Sequence, residues 1–193
     1  LEANPGWSQL EVEMPVAAVE ALRLERVTIW DGRVSELDLS FCSFTSLPDA
    51  LGKLLNLKKL TLYACWKLRV LPDSIAQCVN LTDLDLSACK ALADQYLCGS
   101  GTETQDTFTA KHPASSICSS CGHDKAEHRA VPCLPEGLFD LPLESLALFG
   151  TSFGMETVKA VCRSELAEGL QRISMGPNIL SFPHEIKFCT RLK

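Results

Sequence analysis

Leucines recur along this chain in a fixed pattern of apolar and polar positions. The phrase Leu-x-x-Leu-x-Leu-x-x-Cys runs from Leu57 to Cys65 and again from Leu81 to Cys89, and a close relative begins at Val34. The last two leucines of each phrase are two residues apart, so they share one face of a short strand. One such unit cannot bury its leucines alone, but stacked copies can. The pattern therefore predicts stacked strand-and-return units.

The return segments also repeat. A Leu-Pro-Asp triplet follows two of the phrases at matching offsets, beginning at Leu47 and at Leu71, and proline at that point ends a strand and turns the chain. Apolar residues then recur three apart, as at Leu51 and Leu54, which predicts a short helix or 3₁₀ turn. In residues 143–169 the apolar spacing predicts a longer amphipathic helix, and a fifth phrase follows it.

The segment before the first phrase is expected to cap the stack. Asp31 and Gly32 form an Asp-Gly pair, which favours a type I′ hairpin turn into the first strand. The chain is accordingly divided into an N-terminal cap (1–33), leucine-rich repeats (34–97), an insert (98–133) and the continued repeats (134–193).

These phrases, with Leu-Pro in register, resemble the leucine-rich repeat family. The wording "LPDSIAQCVNLTDLDLSAC" is similar to the intracellular type of plants and protists. The resemblance implies an α/β solenoid, curved, with a parallel sheet on its concave side and short helices or 3₁₀ turns on its convex side. It also implies that the cysteine position faces inward and bonds the backbone of neighbouring turns. Six cysteines are interpreted as structural thiols or core filler: Cys42, Cys65, Cys78, Cys89, Cys162 and Cys189.

Composition narrows the function. The chain of 193 residues has a net charge of −6 and is 46% hydrophobic, which argues against nucleic acid as the main partner because that partner needs a basic face. No apolar run approaches the ~20 residues of a membrane-spanning helix. The sequence shows no His-Glu-x-x-His motif, no nucleophile elbow and no phosphate-binding glycine loop. We therefore expect neither an enzyme nor a small-molecule substrate.

The insert holds the remaining cysteines and predicts a Zn²⁺ site. The insert is poor in large apolar residues, so it needs a bound metal or a disulfide to hold its fold. Cys118, Cys121, His128 and Cys133 supply the four sulfur or nitrogen ligands of a zinc site. The sequence of these four ligands resembles a CCHC zinc knuckle in which the spacing between the second cysteine and the histidine is longer. From this resemblance we infer zinc binding but not nucleic-acid binding. Cys98 or His123 is an alternative ligand.

Other interpretations of the insert remain open. Disulfide pairs would hold it equally well, and a simple surface loop needs no staple. A catalytic zinc is conceivable because Glu127 precedes His128, but a closed structural site is favoured, since the sequence orders of zinc hydrolases and deaminases are missing.

A partner-binding face is predicted on the sheet. Side chains that alternate with the buried leucines should line its exposed side, and aromatic residues among them would serve as anchors. A solvated face without a ligand is the alternative. The candidate residues are Glu36, Asp38, Lys59, Thr61, Tyr63, Asp83, Asp85 and Phe149.

The first hypothesis is a non-enzymatic interaction or scaffold subunit of a larger assembly that binds other protein subunits. The second is a metal- or redox-responsive regulator that acts through the insert. The sequence begins at Leu1 and stops where another strand is due, so we expect a longer chain or a covering neighbour. An intracellular, cytoplasmic location is expected because the thiols need a reducing compartment. The alternative is an organelle that the protein enters with removal of a targeting segment.

Overall fold

A β-hairpin opens the described part of the chain. The computed structural model describes residues 26–97, 129–131, 134–176, 179 and 183–193. Strands β1 (Val27–Trp30) and β2 (Arg33–Asp38) pair antiparallel. Asp31 and Gly32 connect them with φ angles of 51° and 72°, the positive values that a type I′ turn requires. The predicted hairpin turn is confirmed.

Parallel strands continue the sheet from β2. The further strands of the chain are β3 (Lys59–Thr61), β4 (Asp83–Asp85), β5 (Gln95–Leu97), β6 (Arg129–Val131), β7 (Ser145–Ala147) and β8 (Arg172–Ser174). Of these eight strands in the described residues, six form one sheet in the order β1-β2-β3-β4-β7-β8. From β2 onward the pairing is parallel and in register, so that equivalent apolar residues stack in one row: Leu37, Leu60, Leu84, Leu146 and Ile173. The predicted parallel sheet is confirmed.

Short 3₁₀ helices return the chain on the opposite side of the stack. Each begins directly after a proline, whose ring already holds φ near the helical value and whose missing N–H costs no hydrogen bond there. The helices are Asp49–Lys53, Asp73–Gln77, Glu136–Asp140 and His184–Phe188. The Leu-Pro offsets therefore predicted these elements correctly.

The fourth repeat returns through α-helices instead. Helix α1 (Met155–Arg163) buries Val158, Val161 and Cys162, and the short helix α2 (Leu166–Gly169) follows it. The predicted amphipathic helix is confirmed. The core between sheet and return segments is built mainly from leucine, and Leu60 and Leu62 are among the fully buried residues.

A left-handed residue recurs at one position of the repeat. Phe41, Ala64, Ala88 and Gly150 have φ angles of 64°, 57°, 60° and 73°. This conformation aims the backbone N–H at the next unit, since the amides of Phe41, Ala64 and Ala88 donate to the carbonyls of Tyr63, Ser87 and Phe149. The three non-glycine residues adopt it against their intrinsic preference.

Strands β5 and β6 form a separate two-stranded antiparallel ribbon at the edge of the insert. Gln95 pairs with Val131 and Leu97 pairs with Arg129, and β6 lies beside α1. The candidate metal ligands, Cys98, Cys118, Cys121, His123, His128 and Cys133, lie outside the described residues. The division of the chain into cap, repeats and insert stays a prediction.

Across the described ranges, the helices are all too short or too polar to pass through a bilayer.

Candidate functional site

The predicted partner-binding residues share the exposed side of the sheet. We call this the sheet face: Glu36, Asp38, Lys59, Thr61, Asp83, Asp85, Ser145 and Ala147. Strand alternation turns their side chains away from the leucine core. Glu36 and Lys59 are exposed, and the remaining members are half-buried or nearly so. Tyr63 and Phe149 are exposed just beyond the strand ends.

Two aspartates of the sheet face cap the turn that follows their strand. Asp38 Oδ1 accepts the backbone N–H of Ser40, and Asp85 Oδ1 accepts that of Ser87, each at 2.8 Å. Ser40 and Ser87 are both buried, since these hydrogen bonds fold the turn over them. The second carboxylate oxygen of each aspartate can accept a further hydrogen bond.

An ion pair crosses the sheet face at its other end. Arg172 Nη2 lies 3.3 Å from Asp83 Oδ1, with β7 between the two strands that carry them. Thr82 Oγ1 donates to the second carboxylate oxygen of Asp83 at 2.9 Å. The Arg172 side chain is well exposed and that of Asp83 is partly exposed, so the pair adds little stability and both side chains are accessible to a ligand.

Two cavities lie side by side on the sheet face. The first, of about 230 Å³, is lined by residues of β1, β2 and β3, including Arg26, Glu36 and Asp38. The second, of about 270 Å³, is lined by β3, β4 and β7, including Asp83 and Asp85. Lys59 and Thr61 line both cavities. The surface therefore alternates acidic and basic groups around two small depressions.

Exposed aromatic rings follow the strand ends of the sheet face. Phe41, Tyr63 and Phe149 are 66%, 43% and 61% exposed; we call them the aromatic edge. The rings of Phe41 and Tyr63 meet edge to face, with centroids 5.4 Å apart, a favourable geometry. Sequence reasoning missed Phe41, because its position falls between two alternation rows. The available signal was a bulky ring at the repeat position that Ala64 and Ala88 also occupy.

The cysteines that end the repeat phrases, Cys42, Cys65 and Cys89, are buried, as the sequence indicated. The Cys65 thiol donates to the Leu39 carbonyl at 3.1 Å, and the Cys89 thiol donates to the Leu62 carbonyl at 3.0 Å. Each bond reaches the preceding turn, as the family resemblance implied. Cys42 differs, because its thiol points to the Ser40 carbonyl of its own turn at 3.9 Å, and Thr151 likewise donates to Leu148 of its own turn.

Burial controls the protonation of these thiols. Desolvation raises the pKa of Cys78 to about 11, and the hydrogen bond with Cys89, followed by burial, raises the pKa of Cys65. Within the ranges that the structure covers, no cluster of three or more His, Cys, Asp or Glu residues is arranged to bind a metal. Cys65 and Cys78 therefore fill the core as protonated thiols.

Comparison with known proteins agrees with the repeat pattern. The family model described as Leucine Rich Repeat matches residues 33–54. Among curated proteins, none matches the sequence. Two solved structures are similar to the chain: the plant peptide hormone receptor RGFR1 in complex with RGF2 (18% identity, TM-score 0.30, covering 82% of this chain), and an internalin from Listeria monocytogenes (12% identity, TM-score 0.24, covering 98%).

The chain is shorter than both of these proteins, spanning 27% of the receptor chain and 61% of the internalin chain. A leucine-rich repeat is detected at residues 33–54, and the parallel sheet with its 3₁₀ return segments is a leucine-rich-repeat-like fold.

Proposed function

We propose that this chain is a non-enzymatic interaction module, a subunit of a larger assembly that binds a protein partner on the sheet face and the aromatic edge. Domains built from leucine-rich repeats generally mediate protein–protein interaction. The observation that supports this site is the aromatic edge. The three exposed rings correspond to the apolar anchors of a protein interface, and the charged and polar residues that line the two adjacent cavities correspond to its polar rim.

The charges of the sheet face indicate the chemistry of the partner. Acidic groups outnumber basic ones, but Arg26, Lys59 and Arg172 are interleaved with them. A partner that placed like charges opposite these groups would lose several kcal/mol of binding free energy, which is enough to exclude it. A partner segment of mixed charge, with more basic than acidic groups and an apolar side chain for the aromatic edge, is complementary.

The test compares two sets of exposed aromatic residues. Proteins that bind the chain in an extract of its source are identified by cross-linking, and their affinities are measured with purified partner. The double variant Tyr63→Ala, Phe149→Ala should weaken binding by about tenfold or more, the range of interface hot spots. Phe188→Ala removes an exposed ring on the opposite side of the stack and is the matched control. Equal affinities of the double variant and the wild type would refute this site.

The second candidate is a metal- or redox-responsive regulator acting through the insert, with Zn²⁺ held by Cys118, Cys121, His128 and Cys133. The ribbon supports a stapled insert, because Leu97 pairs with Arg129 and so closes the ends of the segment on each other. Cys98 and His128 are the next residues of the chain beyond this pair. Cys98 or His123 therefore stays an alternative fourth ligand.

Native mass spectrometry of protein purified without chelator tests the zinc proposal. One bound zinc that is lost in the variant Cys121→Ser is the expected result. His128→Ala and Cys98→Ser, compared for zinc affinity, identify the fourth ligand, because only loss of a true ligand lowers affinity by orders of magnitude. Picomolar affinity supports a structural staple, and oxidant-labile zinc supports the regulator. Cysteine pairs that lack two hydrogens, with no metal, would refute both.

We infer an intracellular, cytoplasmic location, with an organelle as the alternative. The support is chemical, since buried thiols hydrogen-bonded as donors persist in a reducing compartment. Fluorescent tagging of the full-length protein in its source cells tests this inference.

A further inference from the structure

Two buried cysteines from different repeats meet behind helix α1. Cys162 lies in α1, and Cys189 follows the 3₁₀ helix His184–Phe188. The Cys189 thiol donates to the Cys162 sulfur at 3.6 Å, although the two residues are 27 positions apart. Neither the repeat pattern nor the proposed partner-binding face uses this contact.

The pair differs from the other described thiols in what the sulfurs face. Cys65, Cys78 and Cys89 each donate to a backbone carbonyl of the preceding unit, so packing accounts for them. Cys65 also has Cys89 beside it, but each of these thiols donates its hydrogen to a backbone carbonyl, and both lie in the leucine core. Cys162 is also fully buried, but it lies against a cleft, and its sulfur accepts the hydrogen of the Cys189 thiol.

A cleft lies next to the pair, of which Cys162 is fully buried and Cys189 is 5% exposed. It has a volume of about 650 Å³ and lies between the α1–α2 segment and the last 3₁₀ helix. Arg163, Lys187 and Arg191 line it together with Cys162. Glu168 lines the cleft as well.

We propose that Cys162 and Cys189 are a thiol oxidation site, at which a peroxide converts the two thiols into a disulfide that joins α1 to the last repeat. One thiolate attacks a peroxide oxygen, the O–O bond breaks, and the departing oxygen takes a proton and leaves as water or an alcohol. The sulfenic acid so formed is attacked by the second sulfur, and its hydroxyl leaves as water. The two thiols supply two electrons and two hydrogens to the peroxide, which balances the reaction.

Local structure allows the bond to close. The sulfurs must approach from 3.6 Å to about 2.05 Å, a movement within reach of a residue that follows a short 3₁₀ helix. The pair belongs to a small apolar cluster with Val158 and Ala167, separate from the main leucine core. The disulfide therefore fastens the last repeat without disturbing the stacked sheet.

The rate of the reaction depends on pH in a defined direction. Burial, and then the neighbouring Cys189, raises the pKa of Cys162 to about 12. Because the thiolate is the nucleophile, oxidation is slow at neutral pH and accelerates as the pH rises toward that value.

Peptide mapping of the full chain after mild hydrogen peroxide treatment tests the proposal. Free thiols are alkylated, the protein is digested with trypsin, and linked peptides are identified by mass. The expected product joins residues 160–163 to residues 188–191, lacks two hydrogens and disappears on reduction. Cys162→Ser should abolish it, whereas Cys78→Ser, which removes a buried thiol outside the pair, should leave it unchanged.

Peptide mapping of the oxidised wild-type protein tests the proposed disulfide even if a variant fails to fold. A link between Cys65 and Cys89, or alkylation of Cys162 and Cys189 after other thiols have been oxidised, overturns the proposal. A second readout is thermal unfolding, in which oxidation should raise the midpoint of the wild type and of Cys78→Ser but not of Cys162→Ser.

Discussion

The Asp94 carboxylate accepts the backbone N–H of Gly154 at 3.1 Å, across 60 residues of sequence. Its other oxygen accepts the hydroxyl of Thr157, which is fully buried. Gly154 precedes helix α1, so Asp94 caps this helix from outside its own segment. Asp94 also comes directly before β5, and the bond thereby joins the edge of the insert to the fourth repeat.

Removing this cap should destabilise the protein. Asp94→Ala leaves the Thr157 hydroxyl and the Gly154 amide without their acceptor, which costs about 1–3 kcal/mol. Urea unfolding followed by circular dichroism measures the change. Asp140→Ala, at an exposed aspartate, is the control and should stay within about 0.5 kcal/mol of the wild type. Equal losses in the two variants would contradict the capping role.

The same carboxyl group makes stability depend on pH. Burial raises the pKa of Asp94 even though hydrogen bonds from Thr157 and Gly154 lower it. The folded state therefore holds this proton more tightly than the unfolded chain. The stabilising contribution is complete below the unfolded pKa of about 3.9 and is lost as the pH rises through the folded pKa.

Asp94→Asn removes that titration. We expect the unfolding free energy of the wild type, relative to Asp94→Asn, to decrease as the pH increases through the mildly acidic range. A series of urea unfolding curves at increasing pH measures this difference. A difference that increases with pH would show that hydrogen bonding, not burial, dominates the pKa of Asp94.

Glycine should be more stabilising than alanine at two equivalent left-handed turn positions. Ala88 and Gly150 have φ angles of 60° and 73°. Ala88→Gly relieves the steric cost of that conformation and should stabilise the protein by about 0.5–1 kcal/mol, after the extra entropy of glycine is subtracted. Gly150→Ala should destabilise it by about 1–2 kcal/mol.

Ala147→Gly provides the control for this pair. Ala147 lies in strand β7 with no positive φ angle, so glycine there should destabilise the protein by about 0.5–1 kcal/mol. Thermal unfolding compares all three variants. Destabilisation by Ala88→Gly would mean that the turn tolerates alanine without strain.

The stacked leucine row should be the most sensitive part of the core. Leu60 is fully buried in the middle of the sheet, between Leu37 and Leu84. Leu60→Ala should cost about 2–5 kcal/mol through lost burial and the cavity left behind. The neighbouring variant Thr61→Ala, at a half-exposed site on the sheet face, should cost well under about 1 kcal/mol. Equal costs would contradict the assigned strand register.

Repeat phrases were enough to predict the sheet, the 3₁₀ return segments and the hairpin turn at Asp31 and Gly32. Each depends on contacts between residues close in sequence or at equivalent positions of adjacent units, so a local pattern carries the information. The predicted binding residues also share one face for this reason. Phe41 was missed because its exposure follows from a left-handed backbone, which strand alternation does not describe.

The sequence by itself determined that the strand leucines are buried, because a strand places alternate side chains on opposite faces and every unit repeats that choice. Only the tertiary structure decided the contacts of Asp94 with Gly154 and of Cys162 with Cys189, at separations of 60 and 27 residues. These contacts involve single side chains from dissimilar elements, and no periodicity encodes them. Their geometry depends on how α1 packs against its neighbours, which is settled when the whole stack folds.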